Sequence, residues 1–234
     1  MKSGIEPRCV ELLDTTCISA VNASLPHQTP PFPLKPHIFF KLSGPKSLVP
    51  AQQKSLLSTL QREGGTDLRL AKSQEEGGEL WDIRKSLVLS LIHVYPGCEV
   101  IGTDVCVPIS RLAGLIEQYK VDQERINGEI EKDGGEKRLQ SLIMGHVGDG
   151  NFHSLMYVPW IVWLTFSAFE KGNEEMKKKA QELESTLVMN ALALDGTSSG
   201  EHGVGIHKLV PTRLHTKLTT RNSSVKNTIQ RHCH

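Results

Sequence analysis

The chain contains 234 residues, of which 38% are hydrophobic and 23% are charged, and its formal net charge at pH 7 is +1. This composition predicts one large or two small globular domains and offers no general electrostatic attraction for nucleic acid or an anionic membrane. The five cysteines form no CxxC pair, so we expect buried thiols in a reducing compartment rather than a disulfide framework. No stretch reaches the roughly 18–20 apolar residues of a membrane span, and the first residues carry no recognisable targeting signal.

Residues 1–36 are predicted to form an N-terminal segment and a proline-rich linker. A helix is expected from about Asp14 to Ala23, because Asp14 can accept a hydrogen bond from the first turn. Prolines are frequent between Leu25 and Pro36, so this stretch cannot form a regular helix or a central strand.

Strands and helices alternate in the next part of the chain. The predicted elements are a strand from His37, a helix from about Pro50 to Arg62, a strand over Thr66–Ala71, a helix from Gln74 to about His93 and a strand over Glu99–Val107. In the helix before Arg62, we expect Leu56, Leu57 and Leu60 to be buried. A further helix begins at Pro108, and residues 121–138, which are charged and interrupted by glycines, predict a frayed helix followed by a loop.

The stretch Gly145-His-Val-Gly-Asp-Gly-Asn-Phe-His153 predicts a β-hairpin. Asp149 and Gly150 suit a two-residue type I′ turn, which places His146 directly opposite His153 on one face. Directly paired residues have Cβ atoms about 4.5–5.5 Å apart, so the two imidazoles could bind one metal ion. The alternative is a structural hairpin whose histidines only satisfy their hydrogen bonds.

The clearest helix is predicted over Glu174–Leu194, with an apolar stripe along one side. Strands separated by helices, with a hairpin inserted, predict an α+β fold in which helices cover one face of a largely antiparallel sheet. The sequence has no GxGxxG after a strand and no Walker motif, so no motif of its own cradles a nucleotide phosphate.

A third metal ligand has a candidate in Glu201, which lies with His202 between Gly200 and Gly203. Two histidines and one carboxylate suit zinc, manganese or iron, and His202 would be available as a base. The alternative is a flexible loop with solvated side chains. Arg84, in the segment Trp81-Asp-Ile-Arg-Lys, could bind a substrate carboxylate in bidentate fashion or lie on a solvated helix face.

Four motifs in this order resemble the FAD-linked 2-hydroxy-acid dehydrogenases of the vanillyl-alcohol-oxidase type, especially their cytochrome-linked D-lactate branch. The motifs are Trp81-Asp-Ile-Arg-Lys, Thr103-Asp-Val-Cys-Val-Pro-Ile-Ser-Arg-Leu, Gly145-His-Val-Gly-Asp-Gly-Asn-Phe-His and Gly200-Glu-His-Gly-Val-Gly. The resemblance implies a ferredoxin-like C-terminal domain of an FAD-linked oxidase. It also implies an enzyme that oxidises D-lactate to pyruvate by hydride transfer to FAD, with cytochrome c as acceptor, in mitochondria.

Position by position, the resemblance implies a role for each candidate residue. His146, His153 and Glu201 would bind a divalent metal, zinc or manganese. Arg84 would receive the substrate carboxylate, and His202 would take the proton of the 2-hydroxyl. The residues expected on the flavin side are Asn151, Gly200, Glu201 and His202. No lysine lies beside Thr103-Asp104, which favours a small substrate.

The resemblance divides the chain into residues 1–36, a substrate and cap domain over 37–206, and a divergent tail over 207–234 that we expect to be poorly ordered. Residues 159–169 look inserted relative to the family. The family's FAD-binding domain of roughly two hundred residues has no counterpart in this sequence, so we expect weak flavin binding or none from the chain alone. Two alternatives stay open: a non-enzymatic metal-binding remnant, and a D-2-hydroxyglutarate or glycolate dehydrogenase relative.

Overall fold

The computed structural model describes residues 5, 7–25, 31–94, 100–135, 138–157 and 172–200. Within these ranges, six strands form one sheet: β1 Cys9–Leu13, β2 His37–Lys41, β3 Val100–Gly102, β4 Val105–Cys106, β5 Gln140–Gly145 and β6 Asn151–Tyr157. The strand order is β2-β1-β5-β6-β3, with β4 also pairing with β6, and each described pairing is antiparallel. The described helices are α1 Thr15–Ser24, α2 Val49–Arg62, α3 Gln74–Val94, α4 Ile109–Lys132 and α5 Gly172–Ala193.

Helices cover both faces of this sheet. The α+β class and the antiparallel sheet are confirmed, but the expectation that only one face is covered is wrong. On one face, Ile143 and Phe152 pack with buried residues of α4 and α5. On the other, Leu142 and Met144 pack with α1 and with Leu87 of α3. Side chains alternate between the faces of a strand, so Leu142 and Ile143 enter different cores although they are adjacent in sequence.

The strand predicted over Glu99–Val107 is divided into β3 and β4, but the pairing register does not change between them. Gly102 pairs with Leu155 and Val105 pairs with Phe152, so no residue is inserted at the break. The backbone N–H of Thr103 donates to the carbonyl of Ser154 at 2.9 Å, which keeps this segment bound to β6 across the break. Asp104 therefore comes opposite His153.

The hairpin forms, but its turn and its register differ from the prediction. Met144 pairs with His153, so His146 is diagonal to His153 rather than opposite it. The loop has four residues, Val147 to Gly150, and only Gly150 among them has a positive φ, of 79°. The register differs by two residues, which keeps both histidines on one face because side chains alternate with period two.

Neighbouring strands explain this longer loop. The backbone N–H of Gly148 donates to the carbonyl of Val10 at 3.4 Å, and the N–H of Val107 donates to the carbonyl of Gly150 at 2.9 Å. The loop is thus bound from both sides by β1 and by the end of β4. These tertiary contacts outweigh the local preference of an Asp-Gly pair for a two-residue turn.

We predict that Gly150→Ala lowers the free energy of unfolding by more than about 2 kcal/mol. A Cβ at this position would lie 2.0 Å from the carbonyl oxygen of Val107, a backbone atom. The left-handed conformation alone costs an L-residue roughly 1–2 kcal/mol. Gly134→Ala is the matched control, since Gly134 has a φ of +83° with no heavy atom within 4 Å. Equal losses for the two variants in urea denaturation would contradict the contact with Val107.

Helix α1 begins as predicted, with Asp14 as its N-cap. The Asp14 carboxylate accepts a hydrogen bond of 2.8 Å from the backbone N–H of Cys17. Burial raises the pKa of Asp14 above its ordinary value, although the hydrogen bonds from Cys17 act in the opposite direction. A carboxyl whose pKa is raised by folding stabilises the fold most when protonated, so its contribution is lost as the pH rises through the folded-state pKa.

This sign leads to a prediction for Asp14→Asn. Asparagine caps a helix about as well as aspartate but carries no charge, so the variant should match or slightly exceed the parent in stability at neutral pH. Its advantage should shrink as the pH falls and Asp14 becomes protonated. Asp14→Ala should lose about 1 kcal/mol at neutral pH. Urea unfolding across pH 3–7 measures both effects, and an asparagine advantage that grows on acidification would contradict the assignment.

Three other predictions for the elements are wrong. Of the frayed helix and loop predicted over residues 121–138, only the fraying is wrong: helix α4 is continuous to Lys132, because Ile126 and Ile130 are buried, and a turn follows it. No residue of α2 is fully buried, so its leucines form only a partly covered face. Residues 66–71 are exposed and form no strand.

Some predictions fall on residues that the structure does not describe. They concern the insertion at 159–169, Glu201 and His202, and the tail over 207–234. In the described part of the chain, no helix is both long enough and apolar enough to cross a membrane.

Candidate functional site

A pocket of about 550 Å³ lies between α3 and the exposed part of the sheet face that also carries Met144. It brings together three of the residues predicted from the sequence: Arg84, His146 and His153. Its other lining residues are Glu11, Trp81, Lys85, Val88, Gly102, Thr103, Asp104, Met144 and Leu155. Helix α3 supplies two cations and an apolar wall, and the strands and the residues next to them supply the imidazoles and carboxylates.

The two histidines meet at the closed end of the hairpin. Their ring centroids are 5.7 Å apart and their planes are nearly perpendicular, at 89°. His153 belongs to β6 and is buried, whereas His146 follows β5 and its side chain is 35% exposed. The convergence predicted from the sequence is present, but it comes from a diagonal pair.

Each histidine has a carboxylate beside its Nδ1 atom. Oε1 of Glu11 lies 2.5 Å from Nδ1 of His146. Oδ1 of Asp104 lies 3.6 Å from Nδ1 of His153. Both carboxylate side chains are buried, with 3% and 4% exposure. They come from opposite sides of the hairpin, Glu11 from β1 and Asp104 from the break between β3 and β4.

Arg84 does not lie on a solvated helix face. Its side chain is 15% exposed, and its Nε donates to Oε2 of Glu11 at 3.0 Å. Glu11 therefore contacts two of the predicted site residues, one with each oxygen. Sequence reasoning missed Glu11 because a single acid in a strand carries no motif, and only the pairing of β1 with β5 brings it to the pocket.

Asn151 is buried at the start of β6, beside Asp104. Its Nδ2 donates to Oδ1 of Asp104 at 2.8 Å and to the carbonyl of Val105 at 3.2 Å. Its Oδ1 is buried and has no hydrogen-bond partner among the described residues. An unpaired buried acceptor costs about 1–3 kcal/mol, so this atom is a candidate to accept a hydrogen bond from a ligand or from a further part of the chain.

Ser199 and Gly200 pack on the same cluster. Ser199 Oγ donates to Oδ2 of Asp104 at 2.8 Å. A Cβ on Gly200 would lie 1.7 Å from Nδ2 of Asn151, so only glycine allows this approach. The structure thus brings Gly200 and Asn151 together. These are two of the four residues that the resemblance implies for the flavin side, and the other two, Glu201 and His202, lie outside the described residues.

Two of the three proposed metal ligands, His146 and His153, are arranged as a divalent metal requires. Histidines that bind a metal usually donate their second ring N–H to a carboxylate, a backbone carbonyl or water. His146 has such a carboxylate, Glu11, within hydrogen-bond distance of Nδ1, and Asp104 lies 3.6 Å from Nδ1 of His153. No group of three or more His, Cys, Asp or Glu side chains is arranged to hold a metal ion within the described ranges. The third predicted ligand, Glu201, is not among those residues.

The antiparallel sheet with helices on both faces, and the pocket with its paired histidines, agree with the substrate domain of an FAD-linked oxidase. The chain belongs to the family described as FAD linked oxidases, C-terminal domain, which matches residues 1–226. Among curated proteins, it is 32% identical over 209 residues to the mitochondrial D-lactate dehydrogenase (cytochrome) of Arabidopsis thaliana, covering 89% of this chain and 32% of that protein. It is 30% identical to the probable mitochondrial D-lactate dehydrogenase of Danio rerio, covering 89% and 37%.

More distant relatives widen the comparison. The glycolate oxidase subunit GlcD of Escherichia coli K12 is 26% identical over 207 residues, covering 88% of this chain and 36% of that protein. A solved structure of alkyldihydroxyacetonephosphate synthase superposes with a TM-score of 0.55 over 94% of this chain and 39% of that one, at 12% identity, which shows the fold alone. The chain spans about a third of the length of the curated relatives it matches.

Proposed function

We propose that this chain forms the substrate side of an FAD-linked dehydrogenase that oxidises D-lactate to pyruvate. The observation that carries the proposal is the pocket in which Arg84 lies together with His146 and His153. A guanidinium can bind the carboxylate of a 2-hydroxy acid, and two imidazoles can help to hold a metal beside its hydroxyl. The names of the two relatives support D-lactate as substrate and mitochondria as location. The name of the Arabidopsis relative also supports a cytochrome as acceptor, which we propose to be cytochrome c.

The residues of this chain bind and orient the substrate in the proposed reaction. The Nε of Arg84 is occupied by Glu11, and the other edge of the guanidinium, with its two terminal nitrogens, can receive the substrate carboxylate in bidentate fashion. His146, His153 and Glu201 would hold a divalent zinc or manganese ion, which lowers the pKa of a bound hydroxyl when present. His202 would then take the hydroxyl proton.

The flavin side of the proposed site is formed by Asn151, Gly200, Glu201 and His202. FAD, when bound, supplies an acceptor for the hydride that leaves the substrate α-carbon. Asn151 offers a buried acceptor, Oδ1, that has no partner among the described residues. Gly200 lets the backbone pack directly against the Asn151 amide. Both features support a role for Asn151 and Gly200 in contacting a ligand.

A relative acting on glycolate or D-2-hydroxyglutarate is the second candidate. The observation that favours a dicarboxylic substrate is Lys85, a second cation lining the pocket beside Arg84. Lys85 is exposed and its Nζ donates to Asp82 at 3.2 Å, so it is less well fixed than Arg84. The GlcD relative supports glycolate. The third possibility, a metal-binding remnant without turnover, is tested by the same experiment.

The test is turnover in the presence of flavin. The chain is assayed alone and joined to the FAD-binding domain of the Arabidopsis relative, with D-lactate, L-lactate, glycolate and D-2-hydroxyglutarate as substrates. We expect little flavin binding by the chain alone, and D-lactate-dependent reduction of cytochrome c by the joined protein. A joined protein that binds FAD stoichiometrically but oxidises none of these acids would contradict the proposal.

The metal is tested separately, by elemental analysis of the purified chain. His146→Ala, His153→Ala and Glu201→Ala should each lower the bound zinc or manganese by at least about tenfold, because each removes a direct ligand. His37→Ala is the matched control, since His37 lies on the edge strand β2 and its Nδ1 faces the carbonyl of Lys35. Unchanged metal content in the three ligand variants would show that the ligand set is wrong.

A further inference from the structure

We propose that Glu11 is a positioning residue that fixes His146 and Arg84 together, and that it holds His146 in the tautomer with the proton on Nδ1. The importance of this for catalysis rests on the proposed function. The contacts of Glu11 with His146 and Arg84 do not depend on the proposed function, because all three residues are described by the structure. Nothing in the sequence around Glu11 indicates such a role.

The geometry begins with the pairing of β1 and β5. Leu12 pairs with Gly145 and Leu13 with Met144, so the next position along β1, Glu11, comes opposite His146. Glu11 is 2% exposed, and its two oxygens contact different partners: Oε1 contacts Nδ1 of His146 and Oε2 contacts Nε of Arg84. A single buried carboxylate thus joins an imidazole on the sheet to a guanidinium on α3.

Stability alone gives a weak reason to keep this carboxylate. Removing a charge from water costs several kcal/mol, and replacing a buried ion pair by apolar groups of similar volume is often neutral or stabilising. Met144 and Leu155, which line the same pocket, show that this face also accommodates apolar side chains. The buried charge is therefore better explained by what it orients than by what it stabilises.

The chemistry of the carboxylate determines the tautomer of His146. An ionised carboxylate can only accept hydrogen bonds, and at 2.5 Å its Oε1 requires that Nδ1 of His146 carry the proton. In the neutral ring, the lone pair is then on Nε2, the atom that would bind a metal. The same carboxylate fixes the plane of the Arg84 guanidinium by binding Nε, which directs the terminal nitrogens.

Glu11→Gln tests this because the side chain keeps its shape and loses only its ability to accept at both ends. To accept from Arg84, the amide must turn its oxygen toward Nε, and its NH₂ then faces Nδ1 of His146. That arrangement requires Nδ1 to accept, which moves the ring proton to Nε2 and removes the metal-binding lone pair. Glu129→Gln is the matched control: Glu129 also joins two cations, Arg125 and Lys179, on the surface of α4 and α5.

The primary measurement is the ¹⁵N spectrum of the imidazoles of the 234-residue chain, assigned with His146→Ala. We expect the Nδ1–H tautomer of His146 in the parent and in Glu129→Gln, and the Nε2–H tautomer in Glu11→Gln. Zinc affinity, measured by titration, should fall about 10- to 100-fold in Glu11→Gln and stay within twofold in Glu129→Gln. A purely structural role for Glu11 would change the melting temperature without changing the tautomer.

Two results would overturn the inference. One is an Nε2–H tautomer of His146 in the parent chain, which can be read even if Glu11→Gln fails to fold. The other is a folded Glu11→Gln variant that keeps the Nδ1–H tautomer and the parent zinc affinity. Absence of D-lactate turnover in the protein joined to an FAD domain would contradict the proposed function and leave the tautomer result intact, so the two failures are distinguishable.

Discussion

Replacing Arg84 by methionine should both weaken substrate binding and destabilise the fold. In the protein joined to an FAD domain, we expect the KM for D-lactate to rise by about 100-fold, roughly 3 kcal/mol, because the proposed bidentate contact of Arg84 with the substrate carboxylate is lost. The free energy of unfolding should fall by about 3 kcal/mol, since Glu11 stays buried with its Oε2 unpaired. Steady-state kinetics and urea denaturation measure the two losses independently.

Two further variants separate these effects. Arg84→Lys keeps the charge but not the planar fork, so it should retain more stability than methionine while still raising KM. Adding Glu11→Gln to Arg84→Met removes the unpaired charge and should recover part of the stability, with no recovery of substrate affinity. An Arg84→Met protein with the parent KM would show that the carboxylate binds elsewhere in the pocket.

Phe152→Ala should produce the largest loss of stability among the variants considered, about 3–5 kcal/mol. The Phe152 side chain is fully buried in the core between the sheet and helices α4 and α5, and its ring packs edge-on against Tyr119 with centroids 6.5 Å apart. Tyr119 cannot easily move into the cavity, because its hydroxyl is hydrogen-bonded to Ser154 Oγ at 2.5 Å. Burial raises the pKa of Tyr119 to about 12, so this bond persists over the ordinary pH range.

A loss of this size is a large part of the 5–15 kcal/mol that stabilises a typical domain. Phe152→Leu should cost less than about half as much, because it leaves a smaller cavity. Phe40→Ala, on the edge strand β2 where the side chain is only half-buried, is the matched control and should lose clearly less. If Phe152→Ala and Phe40→Ala have the same denaturation midpoint, the core around Phe152 is not packed as described.

The elements predicted correctly from the sequence are those for which the local sequence pattern and the tertiary contacts favour the same structure. Helix α1, strand β2, helix α3 and the long helix α5 are all present. Helix α1 has the predicted cap, Asp14, and the apolar stripe predicted for α5 is buried. Prediction failed where tertiary contacts outweigh composition. Helix α4 passes through Gly128 because the residues around this glycine, Ile126 and Ile130, are buried against the sheet. Residues 66–71 have a strand-like pattern, but they pair with no strand in the part of the chain that the structure describes.

The hairpin shows the same limit at the site. The type I′ prediction used only Asp149 and Gly150, whereas the loop conformation depends on hydrogen bonds to Val10 and Val107 from distant parts of the chain. The two histidines were still correctly placed on one face, because an error of two residues in register preserves the alternation of side chains. An error of one residue would have placed them on opposite faces of the sheet.

The partners of the site residues were not accessible from sequence. Arg84, His146 and His153 belong to recognisable motifs, and the structure brings them into one pocket. Glu11 lies in an ordinary strand, 73 residues before Arg84 in the chain, and became visible only through sheet pairing. Asp104 was part of a recognised motif but had no predicted partner until the constant register of β3 and β4 placed it opposite His153.

The central position of β6 in the sheet should make it one of the last strands to unfold locally. Strand β6 is paired with β5 on one side and with β3 and β4 on the other, and most of its side chains are buried. Its amides should therefore exchange with deuterium more slowly than those of the edge strand β2, in keeping with the high opening free energy of core strands. His153 lies on β6, so it should keep its position during partial unfolding events that release β2 and the half-exposed helix α2.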